Sequence, residues 1–196
     1  MLRKIAGLCG IASQLVGLIV LLVAAAGSPQ FSWTENNISI LGVEGSMTAL
    51  FNWGLIITGV FSLIFAIGLG KSLITSRLGK WGVTGLVLSS MAFSAMGIFP
   101  RSLWLPHNVA SIAFFIFVII AFLLIGIAAI ISSHRTWGLL SLFAGVITIA
   151  FWMVPWPWSG GAIPQLLYCL PWSLWTITFG VTLLGKANPI DIKIGG

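Results

Sequence analysis

Six long apolar runs, separated by short polar or basic stretches, make up most of this chain. They cover about residues 5–26, 46–69, 81–99, 107–131, 137–154 and 164–184. Each holds about 18 residues or more, the length at which a helix crosses roughly 30 Å of hydrocarbon. In lipid every backbone polar group must find its partner within the segment or a closed barrel, so runs of this length predict helices. The expected fold class is all-α: a polytopic membrane protein with one six-helix domain over residues 1–196, built as three sequential hairpins. Prolines punctuate the pattern. Pro100 stops the third run, Pro106 opens the fourth and Pro164 opens the sixth, as fits a residue that lacks an N–H and is tolerated in a first helical turn. Arg3 and Lys4 before the first run, with Ala24 to Gly27 after it, give it the outline of a signal peptide. Its apolar part is longer than a usual signal core, so it is read as the first span.

The longest interruption is the segment around Phe31–Asn52, which cannot sit in hydrocarbon. It carries the acids Glu35 and Glu44 and the amide pair Asn36–Asn37 before the second run begins.

Charge then orients the chain. Only 6% of residues are charged, against about 25% in a soluble domain. Arg3, Lys4, Lys71, Arg77, Lys80, Arg135, Lys186 and Lys193 all fall on one side of the six-span arrangement, and Arg101 alone falls on the other. The positive-inside bias places both termini in the cytoplasm of a cell-membrane protein. Because the basic residues sit in short loops, the net charge of +6 points to membrane orientation and gives no reason to expect nucleic acid. Tryptophans at both edges fit an interfacial aromatic belt. Cys9 and Cys169 fall near opposite faces, too far apart for a disulfide.

The odd-numbered runs share a face of small residues at spacings of three and four. It holds Gly7, Gly10, Gln14 and Gly17 in the first run, Gly82, Gly85 and Ser89 in the third, and Gly138, Ser141, Gly145 and Thr148 in the fifth. Small residues let membrane helices approach closely, so this face is expected to form a packing seam, with Ala113 and Ala128 lying off it. Gln14 is expected to pair across the seam.

The even-numbered runs all begin on the outer side, where helix N-termini carry free N–H groups. Polar side chains gather at those starts. Asn52 lies on the second helix, His107, Asn108 and Ser111 on the fourth, and Gln165 and Tyr168 on the sixth, with Arg101 and the Asn37–Ser39 stretch nearby. The candidate ligand-binding set is therefore Asn37, Ser39, Asn52, Arg101, His107, Asn108, Ser111, Gln165 and Tyr168, with Trp104, Trp152 and Trp156 as aromatic walls. A helix-end cluster of this kind suits a polar head group. The same residues also fit plain interfacial anchoring, and His107 fits a hydrogen-bonded loop histidine. Glu35, Glu44 and His107 lack the tight spacing of a metal site, so no metal or cofactor is expected, and no catalytic motif stands out.

Two stretches resemble one family. Asn37-Ile38-Ser39-Ile40-Leu41-Gly42, followed by Leu50-Phe51-Asn52-Trp53-Gly54-Leu55-Ile56 and Gly59, looks like the signature of the membrane family catalogued as domain of unknown function 998. Gly97-Ile98-Phe99-Pro100 with His107-Asn108-Val109-Ala110-Ser111 resembles its second signature. The resemblance implies a six-helix integral membrane protein without an assigned activity. The chain departs from the pattern at Ile40, where the family often has Asp, and at Arg101, where an acid is usual.

The function expected is binding of a membrane lipid or isoprenoid-type ligand in a polar and aromatic cup at the outer leaflet. The alternatives are a structural subunit of a larger membrane complex and a small-solute transporter. A membrane-protein partner or a homo-oligomer remains open. No Asp, Glu, Lys or Arg lies mid-span, which counts against ion-coupled transport.

Overall fold

Each apolar run is a single α-helix in the computed structural model, which describes residues 1–185. The helices are α1 (Leu2–Ala26), α2 (Thr48–Leu73), α3 (Arg77–Ile98), α4 (Trp104–Ile131), α5 (Arg135–Met153) and α6 (Ala162–Leu184). All six are long and apolar enough to cross a membrane. Lys186, Lys193 and the tail beyond Gly185 lie outside the described residues.

The helices overrun the apolar runs into the flanking charges. Lys71 belongs to α2, while Arg77 and Lys80 belong to α3. Water and head groups do not stop a backbone that is already hydrogen-bonded along its axis, so a helix continues until a cap ends it. Ser76 provides such a cap for α3, its Oγ accepting from Gly79 N at 3.0 Å. The basic loop between the second and third spans therefore shrinks to Ile74-Thr75-Ser76.

Successive helices pack antiparallel, and α1 packs on α6, so the six close into a ring. Close approach at small residues marks every interface of the ring but that of α5 with α6, which meet through aromatic rings and the Trp175–Ser141 hydrogen bond. A Cβ on Gly17 would meet Thr58 of α2, and one on Gly59 would meet Ser94 of α3. A Cβ on Gly82 would lie 2.6 Å from Ile125 Cγ1, and one on Gly85 would lie 3.0 Å from the Phe117 carbonyl, both on α4. Gly126 and Gly138 face each other across α4 and α5. Lipid supplies no hydrophobic drive between helices, so this contact is where their cohesion comes from. The ring closes at one end through Gly7 against Gly180, with Arg3 Nη2 donating to the Thr182 carbonyl at 3.1 Å. The expected small-residue faces of α1, α3 and α5 all point into these contacts. Ala128 does not lie off the seam. It is 2% exposed and stands against the position a Cβ on Gly79 would take, because α3 and α4 approach as closely there as at Gly82.

The two ends of the bundle differ. At the end bearing Arg3, Lys4, Lys71, Arg77, Lys80 and Arg135, aromatic side chains fill the centre. Phe65, Phe122, Trp175 and Phe179 form one buried cluster. Trp175 packs on Phe179 with ring centroids 4.3 Å apart, and its Nε1 donates to Ser141 Oγ at 2.8 Å. Trp137 joins this core through Phe179 and is not purely an interfacial anchor.

The opposite end is capped by the segment between α1 and α2, which folds over the bundle and includes a short 3-10 turn, Ile38–Gly42. It is fastened to the loop before α6. Gly160 N donates to the Thr34 carbonyl at 2.8 Å, and Ala162 N to the Asn36 carbonyl at 2.9 Å. Gly161 N donates to Asn37 Oδ1 at 3.0 Å, and Ile38 N to Gln165 Oε1 at 2.8 Å. Gly160 is the residue that permits this ladder, since a Cβ there would fall on the backbone of Glu35 and Asn36. Glu35 and Glu44 remain on the exposed surface of the cap.

Candidate functional site: a cavity beneath the cap

Between the cap and the aromatic centre lies a cavity of about 280 Å³, walled by α1, α2, α3, α4, α6 and the cap. Its volume matches about nine waters at ~30 Å³ each, and it sits at the lower end of ordinary ligand sites.

The mouth is polar. Asn37 and Ser39 come from the cap, Arg101 and Trp104 from the α3–α4 connection and the start of α4, and Gln165 from α6. His107, Asn108 and Ser111 follow on α4, where spacings of three and four bring Asn108 and His107 onto the face of Ser111. Trp104 is 68% exposed, so the rim is open beside it. Arg101 is the single charged residue among those lining the cavity, and no carboxylate stands on the wall. Its Nη1 reaches Ser39 Oγ only at 3.5 Å, the outer limit of a hydrogen bond, which leaves the guanidinium's donors uncommitted.

His107 is 7% exposed, and its Nδ1 lies 2.8 Å from the Phe99 carbonyl. A carbonyl only accepts, so this contact holds the proton on Nδ1 and leaves Nε2 as the nitrogen available to the cavity. Among the described residues, the side chains of Asn108 and Ser111 hydrogen-bond no protein group. Asn37 and Gln165 are partly engaged, each giving its amide oxygen to the cap ladder and keeping its NH₂.

Seven of the nine candidate residues thus share one cavity. Asn52 and Tyr168 stand elsewhere. Asn52 Nδ2 donates to the Gly42 carbonyl at 2.9 Å and holds the 3-10 turn in place. Tyr168 stacks on Trp152 at 5.1 Å and meets the edge of Phe115, sealing α4, α5 and α6 together behind the wall. Trp156 stacks on Trp158 at 5.6 Å. Of the aromatic walls expected, Trp104 alone lines the space.

The cavity also runs deeper than an outer cup. Below the mouth it passes an apolar collar that includes Phe51, Leu55, Phe93, Phe114 and Leu166. It ends near the middle of the spans at Ser13, Gln14, Thr58, Cys169, Trp172 and Ser173. Gln14 Oε1 accepts from Ser173 Oγ at 2.8 Å, so α1 and α6 are pinned there, and Gln14 Nε2 donates to Ser13 Oγ at 2.9 Å. Pro171, inside α6, adjoins this level. It has no N–H to offer the Leu167 carbonyl, a local break in the helix ladder.

Fold and site together define a multi-pass membrane protein: a ring of six apolar helices around a cavity that is polar at its mouth and at its floor. The family model described as protein of unknown function DUF998 matches residues 11–182, and the chain belongs to that family. No curated protein and no solved structure matches it.

Proposed function

We propose that this protein binds the polar end of a membrane amphiphile, a lipid or an isoprenoid-type molecule, in the cavity beneath the cap. The observation that carries the reading is Arg101, a cation on an otherwise uncharged wall beside the open rim at Trp104. An anionic or hydroxylated head group gains charge-assisted hydrogen bonds there, with His107, Asn108 and Ser111 supplying further donors and acceptors. The space is too small for a whole diacyl lipid, so most of such a molecule stays in the bilayer. In this reading the capped end faces outward and both termini are cytoplasmic, because the basic residues of the described chain other than Arg101 gather at the opposite end.

Solute transport is the second reading. It is supported by the depth of the cavity and by Pro171 beside its floor, since interrupted helices near the midplane mark many transport sites. Against it, the described residues place no Asp, Glu, Lys or Arg at that depth.

The test is the amount of amphiphile that co-purifies, read by native mass spectrometry. Arg101→Ala and His107→Ala should each lower it while the melting temperature in detergent stays close to wild type. Full retention in both variants rejects the reading.

A further inference from the structure

The mouth of the cavity divides its free hydrogen-bonding groups by kind. Arg101, Asn37 and Gln165 offer donors. The two amide oxygens are already taken by Gly161 N and Ile38 N, so only their NH₂ groups remain, and a guanidinium never accepts. His107 offers the reverse. Its Nδ1 donates to the Phe99 carbonyl at 2.8 Å, so neutral Nε2 carries a lone pair and no proton. The residue is 7% exposed, yet Nε2 has no protein partner. Asn108 and Ser111, also unpartnered, can serve either kind of group. Among the described residues, every buried polar side-chain atom left without a partner lies away from the mouth. Nε2 and the free amides therefore keep surface that a ligand can touch.

Donors and acceptor are close enough to share one small head group. His107 is tied to Phe99, and Arg101 follows two residues later, at most ~7 Å of chain. A ligand that only accepts would satisfy Arg101 and leave Nε2 bare, and a buried acceptor without a partner loses its hydration for nothing.

We infer that the head group bound here is a phosphodiester that carries neutral hydroxyls beyond the phosphate, as a phosphoglycerol lipid does. The inference rests on the reading of the cavity as an amphiphile site. The phosphodiester matches one negative charge to the one cation on the wall. Its oxygens, spread in three dimensions, can meet the guanidinium and both NH₂ groups, where a flat carboxylate cannot. A glycerol hydroxyl donates to His107 Nε2. Choline and ethanolamine heads fit less well, because each brings a second cation to Arg101, and no carboxylate lines the cavity to balance it. A phosphomonoester has the opposite mismatch, with close to two charges for one cation. Phosphoglycerol has roughly ten non-hydrogen atoms, and the cavity of about 280 Å³ holds about nine waters at ~30 Å³ each. The head therefore fits inside while the acyl chains leave by the open rim at Trp104.

The test titrates the full chain in detergent with short-chain phosphatidylglycerol, phosphatidylmethanol and phosphatidylcholine, and reads dissociation constants by native mass spectrometry. Phosphatidylmethanol keeps the phosphodiester charge and lacks the hydroxyls. Wild type should bind phosphatidylglycerol about fivefold or more tighter than phosphatidylmethanol, the effect of one net hydrogen bond, and phosphatidylcholine more weakly than both. His107→Asn keeps a donor for the Phe99 carbonyl and has no atom in the place of Nε2, so it should bring the two anionic lipids to equal binding. Arg101→Gln should weaken both by the same factor. The deacylated head group, glycerophosphoglycerol, should bind far more weakly than the intact lipid. Equal binding of the two anionic lipids by wild type, phosphatidylcholine binding as tight as phosphatidylglycerol, or a preference that survives in His107→Asn overturns the hydroxylated phosphodiester while the amphiphile site stands. If His107→Asn does not fold, the wild-type comparison decides alone. Anionic-lipid binding indifferent to Arg101→Gln, or glycerophosphoglycerol binding as tight as the lipid, overturns the amphiphile site itself.

Discussion

Ser173 Oγ in the middle of α6 donates to Gln14 Oε1 in the middle of α1 at 2.8 Å, joining the first and last helices of the ring. Hydrogen bonds between membrane helices average ~0.6 kcal/mol and reach about 1.7. Gln14→Leu removes this bond and leaves the hydroxyls of Ser13 and Ser173 to find other partners, so it should lower the melting temperature in detergent by a few degrees. Ser173→Ala should cost less, because Gln14 keeps its bond to Ser13. The double variant should be less destabilised than the sum of the two, and strict additivity would show that the two side chains do not act as a pair.

The cap should come loose through a single methyl group. Gly160 lies where a Cβ would strike the backbone of Glu35 and Asn36, so Gly160→Ala must push the two loops apart and break the rungs to Thr34 and Asn36. Hydrogen exchange over residues 31–43 should accelerate, with α2 and α4 unchanged. Unaltered protection of the cap in this variant would mean that the ladder does not hold it down.

Much of this architecture was legible in the chain because hydropathy acts locally. Every span, the proline punctuation and the polar starts of α4 and α6 follow from residues read in order. Helix ends were less legible: Arg77 and Lys80 look like loop and are helix, since capping by Ser76 and not polarity sets the start of α3. Asn52 and Tyr168 have the same polar character and helix-start position as His107 and Gln165, and only three-dimensional direction separates them. The floor of the cavity was hidden for a further reason. Thr58 and Ser173 are single small hydroxyls in apolar runs, where such residues usually serve packing. Ser173 meets Gln14 only because α6 returns to α1, a closure across more than 150 residues that no local pattern announces.

Orientation in the membrane gives a direct measurement. Ser159 and Ser133 are exposed at opposite ends of the bundle. In a background with Cys9 and Cys169 replaced by serine, Ser159→Cys should react with an impermeant maleimide added to intact cells, and Ser133→Cys should react only after lysis. The reverse pattern would place the cap, and the mouth of the cavity, in the cytoplasm.

The small-residue seam predicts a graded response to bulk. Gly85 faces the Phe117 carbonyl and Ala121 at 3.0 and 3.2 Å from an added Cβ, and Gly145 faces Phe122 at 3.3 Å. A leucine at either site must drive α4 away from its neighbour, and overpacking of this kind costs about 1–3 kcal/mol. Gly85→Leu is expected to be the harsher, because one of its obstacles is backbone, which cannot rotate aside, whereas Gly145 meets side chains. Ala150 is exposed on α5 and is the control that the buried Ala128 cannot be, so Ala150→Leu should leave the melting temperature within about a degree of wild type. Ala113, half-buried on α4, should fall between. An order in which Ala150→Leu destabilises as much as Gly85→Leu would show that close helix approach is not what holds the ring together.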